Sequence, residues 1–405
     1  MKRASFLAAA GAAALAPAVR AGTLPQASIK LGDDVLLRSA WHALRGRRVG
    51  IIANQASVTS RLVNIVDALH DHPGIHLTGI YAPEHGFRGG HTAGTTFGSY
   101  RDPRTGLPVY SLYGADKEPS PAMLRDVDVM LFDIQDVGAR AYTFVSTMAY
   151  AMRGVAGARK EFWVLDRPNP IGGELVEGPV LEPAYESFIG LYPIAMRHGM
   201  TIGELAQLFN DAFGIGARLH VVRMDGWKRS MLWPQTGLQW VQTSPNIPDW
   251  KTTVVYPCTG PISNAGINNG VGTTRPFRFA GAYELDPYPL ARALQAYASP
   301  GVYFRPAYWS PLFGFWRGKT LAGVELDVYA PQRFLSIRSA VTILAAIRDV
   351  APHFLRFDPH PFALDWGTDS LRVMLERGDS VDTIERAWQP RLEAFRRQRE
   401  RSLLY

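Results

Sequence analysis

A succession of short apolar runs, each ending in a polar loop, constrains this chain most. Arg48–Ala53, Ile75–Tyr81, Val127–Phe132 and Phe162–Leu165 are nearly continuous in apolar residues, while Val109–Tyr113 is shorter and reads as a strand near an edge. Runs without alternation are strands buried on both faces, which is the mark of a parallel sheet covered by helices. Between them, Leu62, Ile65, Val66 and Leu69 have helical spacing, and Tyr142–Met152 reads as a further helix. Repeated β-α-β order predicts an α/β fold, a Rossmann-like parallel sheet domain. No Gly-x-Gly-x-x-Gly follows any strand, and no Gly-x-x-x-x-Gly-Lys loop of the Walker type occurs. A bound dinucleotide is therefore not expected, and neither is any other cofactor.

The pattern changes near residue 196. Thr201-Ile202-Gly203-Glu204 is a capping box that opens a helix through Leu205, Leu208 and Phe209. Leu219–Met224 and Leu321–Val328 read as strands. Ile337, Ala340, Val341, Leu344 and Ile347 mark an amphipathic helix, and Ile384, Trp388, Leu392 and Phe395 mark another, with Pro390 as a point of kinking. The expected division is an export signal over 1–21, the Rossmann-like domain over 22–195 and a smaller α+β domain over 196–405. Trp227, Trp233, Trp240 and Trp250 lie among prolines, a stretch that reads either as the wall of a sugar groove or as a packed loop core. Gly260–Gly272 reads as a flexible loop with exposed backbone donors.

At 405 residues the chain can hold two sizeable cores. Hydrophobic residues make up 47% and charged residues 20%, which excludes a disordered chain. The formal charge of +7 is weakened as an argument for an anionic partner, because Lys2, Arg3 and Arg20 lie in a leader without acids. The basic tail Arg391–Arg401 is interrupted by Glu393 and Glu400, so no nucleic acid partner is expected. Lys2-Arg3, the apolar Phe6–Leu15 and Val19-Arg20-Ala21 form an export signal with cleavage after Ala21. The mature protein is expected in the periplasm or outside the cell, with no membrane contact once the signal is removed. Cys258 is the only cysteine, so no internal disulfide forms, and it reads as a small buried hydrophobe.

Polar residues gather where the apolar runs end. Asn54-Gln55 follows the first run, Glu84-His85 the second, Asp133 to Asp136 with Arg140 the fourth, and Asp166 to Asn169 the fifth, leading on to Glu177. In an open α/β sheet the carboxyl ends of strands face the ligand crevice. Four such ends would place carboxylates and carboxamides on one rim, suited to a polyol or amino sugar. Each residue alone also fits simple loop capping. Glu84, just past Pro83, is placed for general acid work, and Arg88 can hold an anion; a charged loop with a surface Glu–Arg pair is the plainer alternative.

The words Tyr81-Ala82-Pro83-Glu84-His85-Gly86-Phe87-Arg88-Gly89, Asp133-Ile134-Gln135-Asp136-Val137-Gly138-Ala139-Arg140 and Leu165-Asp166-Arg167-Pro168-Asn169-Pro170-Ile171-Gly172-Gly173 resemble those of a known family. So do Glu177-Gly178-Pro179, His198-Gly199-Met200-Thr201-Ile202-Gly203-Glu204-Leu205, Gly237-Leu238-Gln239-Trp240, Ser244-Pro245-Asn246 and Leu403-Leu404-Tyr405. The chain is similar to the NamZ-type exo-β-N-acetylmuramidases, once known only as a domain of unknown function. The resemblance runs from about the first strand to Tyr405. It implies a Rossmann-like domain, a smaller C-terminal domain, a cleft between them, and release of N-acetylmuramic acid from non-reducing ends of peptidoglycan fragments. The family's catalytic Glu falls on Glu84. One loop departs: where the family pattern has Glu-Gly-Thr-Asn-x-Ser-Glu-Gly-Arg-Gly-Thr, this chain has Ser263 to Thr273, with Asn269 and Val271 in the Glu and Arg places.

The mechanism expected is hydrolysis with Glu84 as general acid/base. Asp133, Asp136 and Glu177 are candidates for the second carboxylate, Asp136 first because its loop also carries Arg140; participation by the substrate's N-acetyl group would need none. His85, Arg88, Asn169, His198 and Asn246 are candidates for binding or orienting the sugar, and His198 also fits a structural role at a helix start. With the glycine-loop Arg gone, Arg275 or Arg88 is expected to hold the lactyl carboxylate. A non-catalytic periplasmic binder of cell-wall amino sugars is the alternative. A metal-dependent reading through His85 and His91 is weaker, since neither has a second histidine four positions away, and no metal is expected.

Overall fold

The computed structural model describes residues 27–405, so the export signal lies outside the described residues. The first part holds strands β1 (Arg48–Ala53), β2 (His76–Ala82), β3 (Tyr100–Arg101), β4 (Pro108–Ser111), β5 (Val129–Asp133) and β6 (Glu161–Leu165). A small hairpin, β7 (Glu177–Val180) with β8 (Ala195–Arg197), precedes β9 (Arg218–Val222). Seven strands form one sheet in the order β3-β4-β2-β1-β5-β6-β9, and every pairing is parallel except that of the edge strand β3.

Helices α1 (Gly32–Arg38), α2 (Ile65–His70), α3 (Phe144–Gly157) and α4 (Ile202–Ala212) belong with this sheet. One face packs Ile52, Phe132 and Phe162 against Phe144, Met148 and Phe209; the other packs Val49, Ile51 and Leu131 against Leu36, Ile65 and Leu69. Apolar layers on both faces explain why β1, β5 and β6 show no alternation. Since α4 and β9 belong to this sheet, it extends past residue 195, where the sequence reading divided the chain.

The later part contains α5 (Trp250–Thr259), β10 (Phe279–Tyr283), α6 (Pro287–Ala296), β11 (Val302–Trp309), β12 (Leu321–Val328), α7 (Ser336–Val350), α8 (Pro359–Trp366), α9 (Ser370–Arg377) and α10 (Val381–Arg399). Its sheet is antiparallel, in the order β10-β12-β11. α7 is its central helix, with Ile337, Ala340, Val341, Leu344 and Ile347 all buried. Pro390 lies inside α10, which continues through it. Trp227 and Trp233 are buried with Ile29, Leu31, Met224 and Leu238, so this part of the aromatic stretch is a loop core. The expectation of a flexible loop over Gly260–Gly272 is corrected. Residues Gly260–Ala265 form a 3-10 turn, and Asn268 bridges to Gly281 of β10 through N–H···O bonds of 2.8 and 3.2 Å.

The two parts are tied at several points. Arg396 and Arg399 of α10 donate to the carbonyls of Val176, Gly173 and Gly199. Tyr405 reaches furthest: its hydroxyl donates to Asp166 Oδ2 at 2.8 Å and accepts from the Met224 N–H at 2.8 Å.

Candidate active site

β2, β1, β5 and β6 are adjacent and parallel, so the loops carrying Gln55, Glu84, Asp136 and Asn169 leave the sheet at one edge. After β2 the chain turns sharply through left-handed backbone at His85 (φ 73°), Gly86 (φ 73°) and Gly89 (φ 74°). Histidine seldom adopts this region, and such strain collects at functional sites. The turn leaves Glu84 half-buried, with two donors on its carboxylate. Gly94 N–H donates to Oε1 at 2.9 Å and Thr143 Oγ1 donates to Oε2 at 2.8 Å, and the Tyr113 phenol lies close enough to feel the Glu84 charge. Burial, and then the Glu84 charge, push the Tyr113 phenol up to about 12. His85 is buried, its Nδ1 3.2 Å from the His91 carbonyl; burial lowers its pKa, against the pull of Glu84.

The end of β5 and the loop after it hold two acids with different surroundings. Asp133 is fully buried and receives Arg167 through Nε at 2.5 Å and Nη2 at 2.8 Å, and the same guanidinium reaches Asp33 at 2.8 Å. Burial pushes the Asp133 carboxyl up and Arg167 pulls it back. Asp136 accepts the Gly138 N–H at 2.7 Å through Oδ2, while its buried Oδ1 has no hydrogen-bond partner among the described residues. His198 accepts the Met200 N–H through Nδ1 at 3.2 Å, which leaves a proton on Nε2. That nitrogen is 3.3 Å from Asp136 Oδ2, yet without hydrogen-bond alignment. Tyr142 and Tyr256, which meet edge to face at 5.8 Å, both lie in the field of Glu84 and Asp136. Burial chiefly, and these two acids, raise both phenols above the ordinary tyrosine value.

Other expected residues are held by local structure. Asn169 accepts the Ile171 N–H and donates to the Met200 carbonyl, an Asx turn packed against Gly138. Glu177 receives Arg197 Nη1 at 2.7 Å, the Ser336 hydroxyl at 3.2 Å and the Ile337 N–H at 3.2 Å, so it caps α7. Arg88 is shared between Asp67 and Asp102 and lies over the Phe87 ring at 4.3 Å. Arg275 pairs with Glu325. Asn246 is half-buried beside Ser244. Sequence reasoning passed over Thr143, Tyr113 and Gly94, whose one signal is that Thr143 stands just ahead of an apolar helix.

A cavity of about 380 Å³ lies where the two parts meet. Ala139, Arg140 and Met196 wall it on one side, and Tyr256, Asn268, Asn269, Val271 and Asp365 on the other. Glu84 is not in its wall; its donor Thr143 stands two residues after the lining Ala141, and its charge acts on the lining Tyr256. Arg140 is the one guanidinium among the described lining residues. It donates to the carbonyls of Pro179, Ile194 and Asp365 at 3.0–3.3 Å, and burial lowers it to about 10. Burial pushes Asp365 up to about 7, against the Asn264 amide bonded to it at 2.6 Å. Asn268 and Asn269 spend their amides on the loop: Asn268 Oδ1 accepts from Gly270 and Trp309, and Asn269 Nδ2 donates to Thr259. Among the described residues no group of three or more His, Cys, Asp or Glu is placed to hold a metal, and His91 stacks on Phe97.

Comparison with known proteins gives the same two-part division. Residues 49–251 match the family described as exo-beta-N-acetylmuramidase NamZ, N-terminal, and residues 254–405 match its C-terminal counterpart. The peptidoglycan beta-N-acetylmuramidase NamZ of Bacillus subtilis (strain 168) is 43% identical over 395 residues, covering 97% of this chain and 95% of that one. A crystal structure of a DUF1343 family protein from Bacteroides fragilis superposes with a TM-score of 0.89 at 37% identity, over 94% of this chain and all of the other. A second protein of that family and organism gives 0.75 at 28% identity, over 93% and 99%. The chain belongs to the NamZ family of exo-β-N-acetylmuramidases.

Proposed function

We propose that this protein is an exo-acting glycosidase that releases N-acetylmuramic acid from non-reducing ends of peptidoglycan fragments, with Glu84 as general acid/base. Its relatives support the reaction. The observation that carries the site is the Glu84 carboxylate, half-buried at a sheet edge and held by Thr143 and Gly94, with the Tyr113 phenol in its field. A positioned acid of this kind spares the reaction the entropy of recruiting one. Asp136 is the second carboxylate, because its Oδ1 is unengaged where Asp133 and Glu177 are fully paired.

The seven-stranded sheet is Rossmann-like in this reading. Omitting β3, its order matches the doubly wound pattern, with the reversal between β1 and β5. The parts divide near residue 250, and the cavity between them is the substrate cleft. Arg140 supplies the cation that faces the lactyl carboxylate, since Arg88 and Arg275 are committed to acids. The protein is exported, on the strength of the leader over residues 1–21.

The test is a chromogenic N-acetylmuramic acid glycoside. Wild type should release the chromophore, and Glu84→Gln should lose about 10²–10⁴-fold in kcat with an unchanged melting temperature. Tight binding without turnover by wild type would instead mark a binding protein.

A further inference from the structure

An apolar hairpin stands at the mouth of the cavity. Between β11 and β12, Leu312, Phe313 and Phe315 are 75%, 54% and 58% exposed, an unusual grouping for a water-facing loop. The hairpin is held in place. Its Leu312 N–H donates to the Gly272 carbonyl at 2.8 Å, and Asn268 Nδ2 donates to the Phe315 carbonyl at 3.3 Å. Both anchors come from the loop that departs from the family pattern. Trp316 and Glu284 are held at φ 69° and φ 67°, which side-chain-bearing residues seldom adopt.

Phe315 faces two spaces. One is the cavity between the parts; the other is an outer groove of about 640 Å³ lined by Tyr283, Trp316 and Phe354, with Glu284, His353 and Arg356 at its edges. Tyr283 meets Trp316 edge to face at 6.0 Å, and Trp316 meets Phe315 at 5.0 Å. Tilted rings offer separate faces instead of one flat patch. Glu284, His353 and Arg356 add hydrogen-bonding groups beside the rings, and Lys319 lies over the Tyr283 ring at 5.1 Å, a mixture that suits a polyol: the C–H face of a pyranose lies on a ring and its hydroxyls meet the polar groups.

We propose that this groove is a second carbohydrate subsite, taking the sugar rings on the leaving-group side of the fragment. The proposal rests on the hydrolase reading for its direction: a terminal amino sugar fills the inner cavity, and the remaining rings pass Phe315 into the groove.

The experiment measures binding, so it does not depend on turnover. In the Glu84→Gln protein, calorimetry compares a peptidoglycan tetrasaccharide with a muramic acid monosaccharide glycoside. Adding Trp316→Ala should weaken the tetrasaccharide at least fivefold and leave the monosaccharide within twofold. Equal loss on both ligands, or none on the tetrasaccharide, overturns the subsite. Tyr283→Ala, read in the same way, replaces Trp316→Ala if the melting temperature shows that the latter does not fold. Sedimentation of wild type with anionic phospholipid vesicles, abolished by Trp316→Ala while tetrasaccharide affinity is unchanged, would overturn it in favour of a lipid surface. Failure of wild type to cleave the chromogenic glycoside would sink the hydrolase reading alone, since tetrasaccharide binding is still measured.

Discussion

Asp133, the last residue of β5, and Asp136, in the loop that follows, stand three residues apart and have opposite chemistry. Asp133 is fully buried, with both oxygens taken by one guanidinium that also holds Asp33. Asp136 has one oxygen on a backbone N–H and the other bare. Both lie at the end of the same strand, so being at a strand end does not separate them. The count of donors does: an acid whose lone pairs are filled holds the fold, and one with a vacant lone pair still has a hydrogen bond to make. Asp166 belongs with Asp133, taking Gly203, Thr201, Tyr405 and the Arg167 N–H as donors, while Glu84 is only partly buried.

The contrast breaks most sharply under isosteric amides. Asp136→Asn should lower kcat about 10²-fold, as expected for loss of an acid acting on the reacting atoms, with a urea midpoint close to wild type. A mutant as active as wild type would remove Asp136 from the reaction. Asp133→Asn should do the reverse. It leaves Arg167 buried with part of its partner gone, a defect that costs about 3–5 kcal/mol in urea unfolding, while kcat per folded molecule changes little.

A smaller effect concerns Asp365. Raised to about 7, it is neutral below that pH and leaves the Arg140 charge alone at the cavity wall. Above it, the carboxylate offsets Arg140 and repels a lactyl carboxylate. The KM for the muramic acid glycoside should rise roughly twofold to tenfold between pH 6 and 8, by the size of a partly screened charge interaction. Asp365→Asn should flatten that rise. The same raised pKa has a stability consequence: the stability this group contributes is full below the ordinary carboxylate range, near 4, and is lost as pH climbs to about 7. Thermal unfolding at pH 4.5 and 7.5 should show a smaller decline in Asp365→Asn than in wild type.

Much of this was legible in the sequence where the signal is local. Continuous apolar runs marked β1, β2, β5 and β6, and the acids that follow them mark the rim. The capping box at Thr201 is present, with Thr201 Oγ1 accepting the Glu204 N–H. What escaped depends on partners far along the chain. Thr143 meets Glu84 across 59 positions and Asn264 meets Asp365 across 101, and no periodicity encodes such pairs. The β7–β8 hairpin was missed because it has too few residues to show a period, and β9 was assigned to the wrong side of the division because a pattern does not say which sheet a strand joins. Arg275 looked available because its loop is near Val271; its Glu325 partner sits on β12, fifty residues on.

The hydroxyl of Tyr405 on Asp166 spans 239 positions, and Leu404 donates its N–H to Glu204 across 200. The parallel sheet therefore receives its last buried donors from chain synthesised long after its strands. Long-range closures of this kind slow folding, because the loop must be ordered before the contact repays it. A ribosome-bound first part would hold Asp166, just past β6, by Arg167, Thr201 and Gly203 but without the Tyr405 hydroxyl. The first part completes its set of donors only once the last residues of the chain have been made.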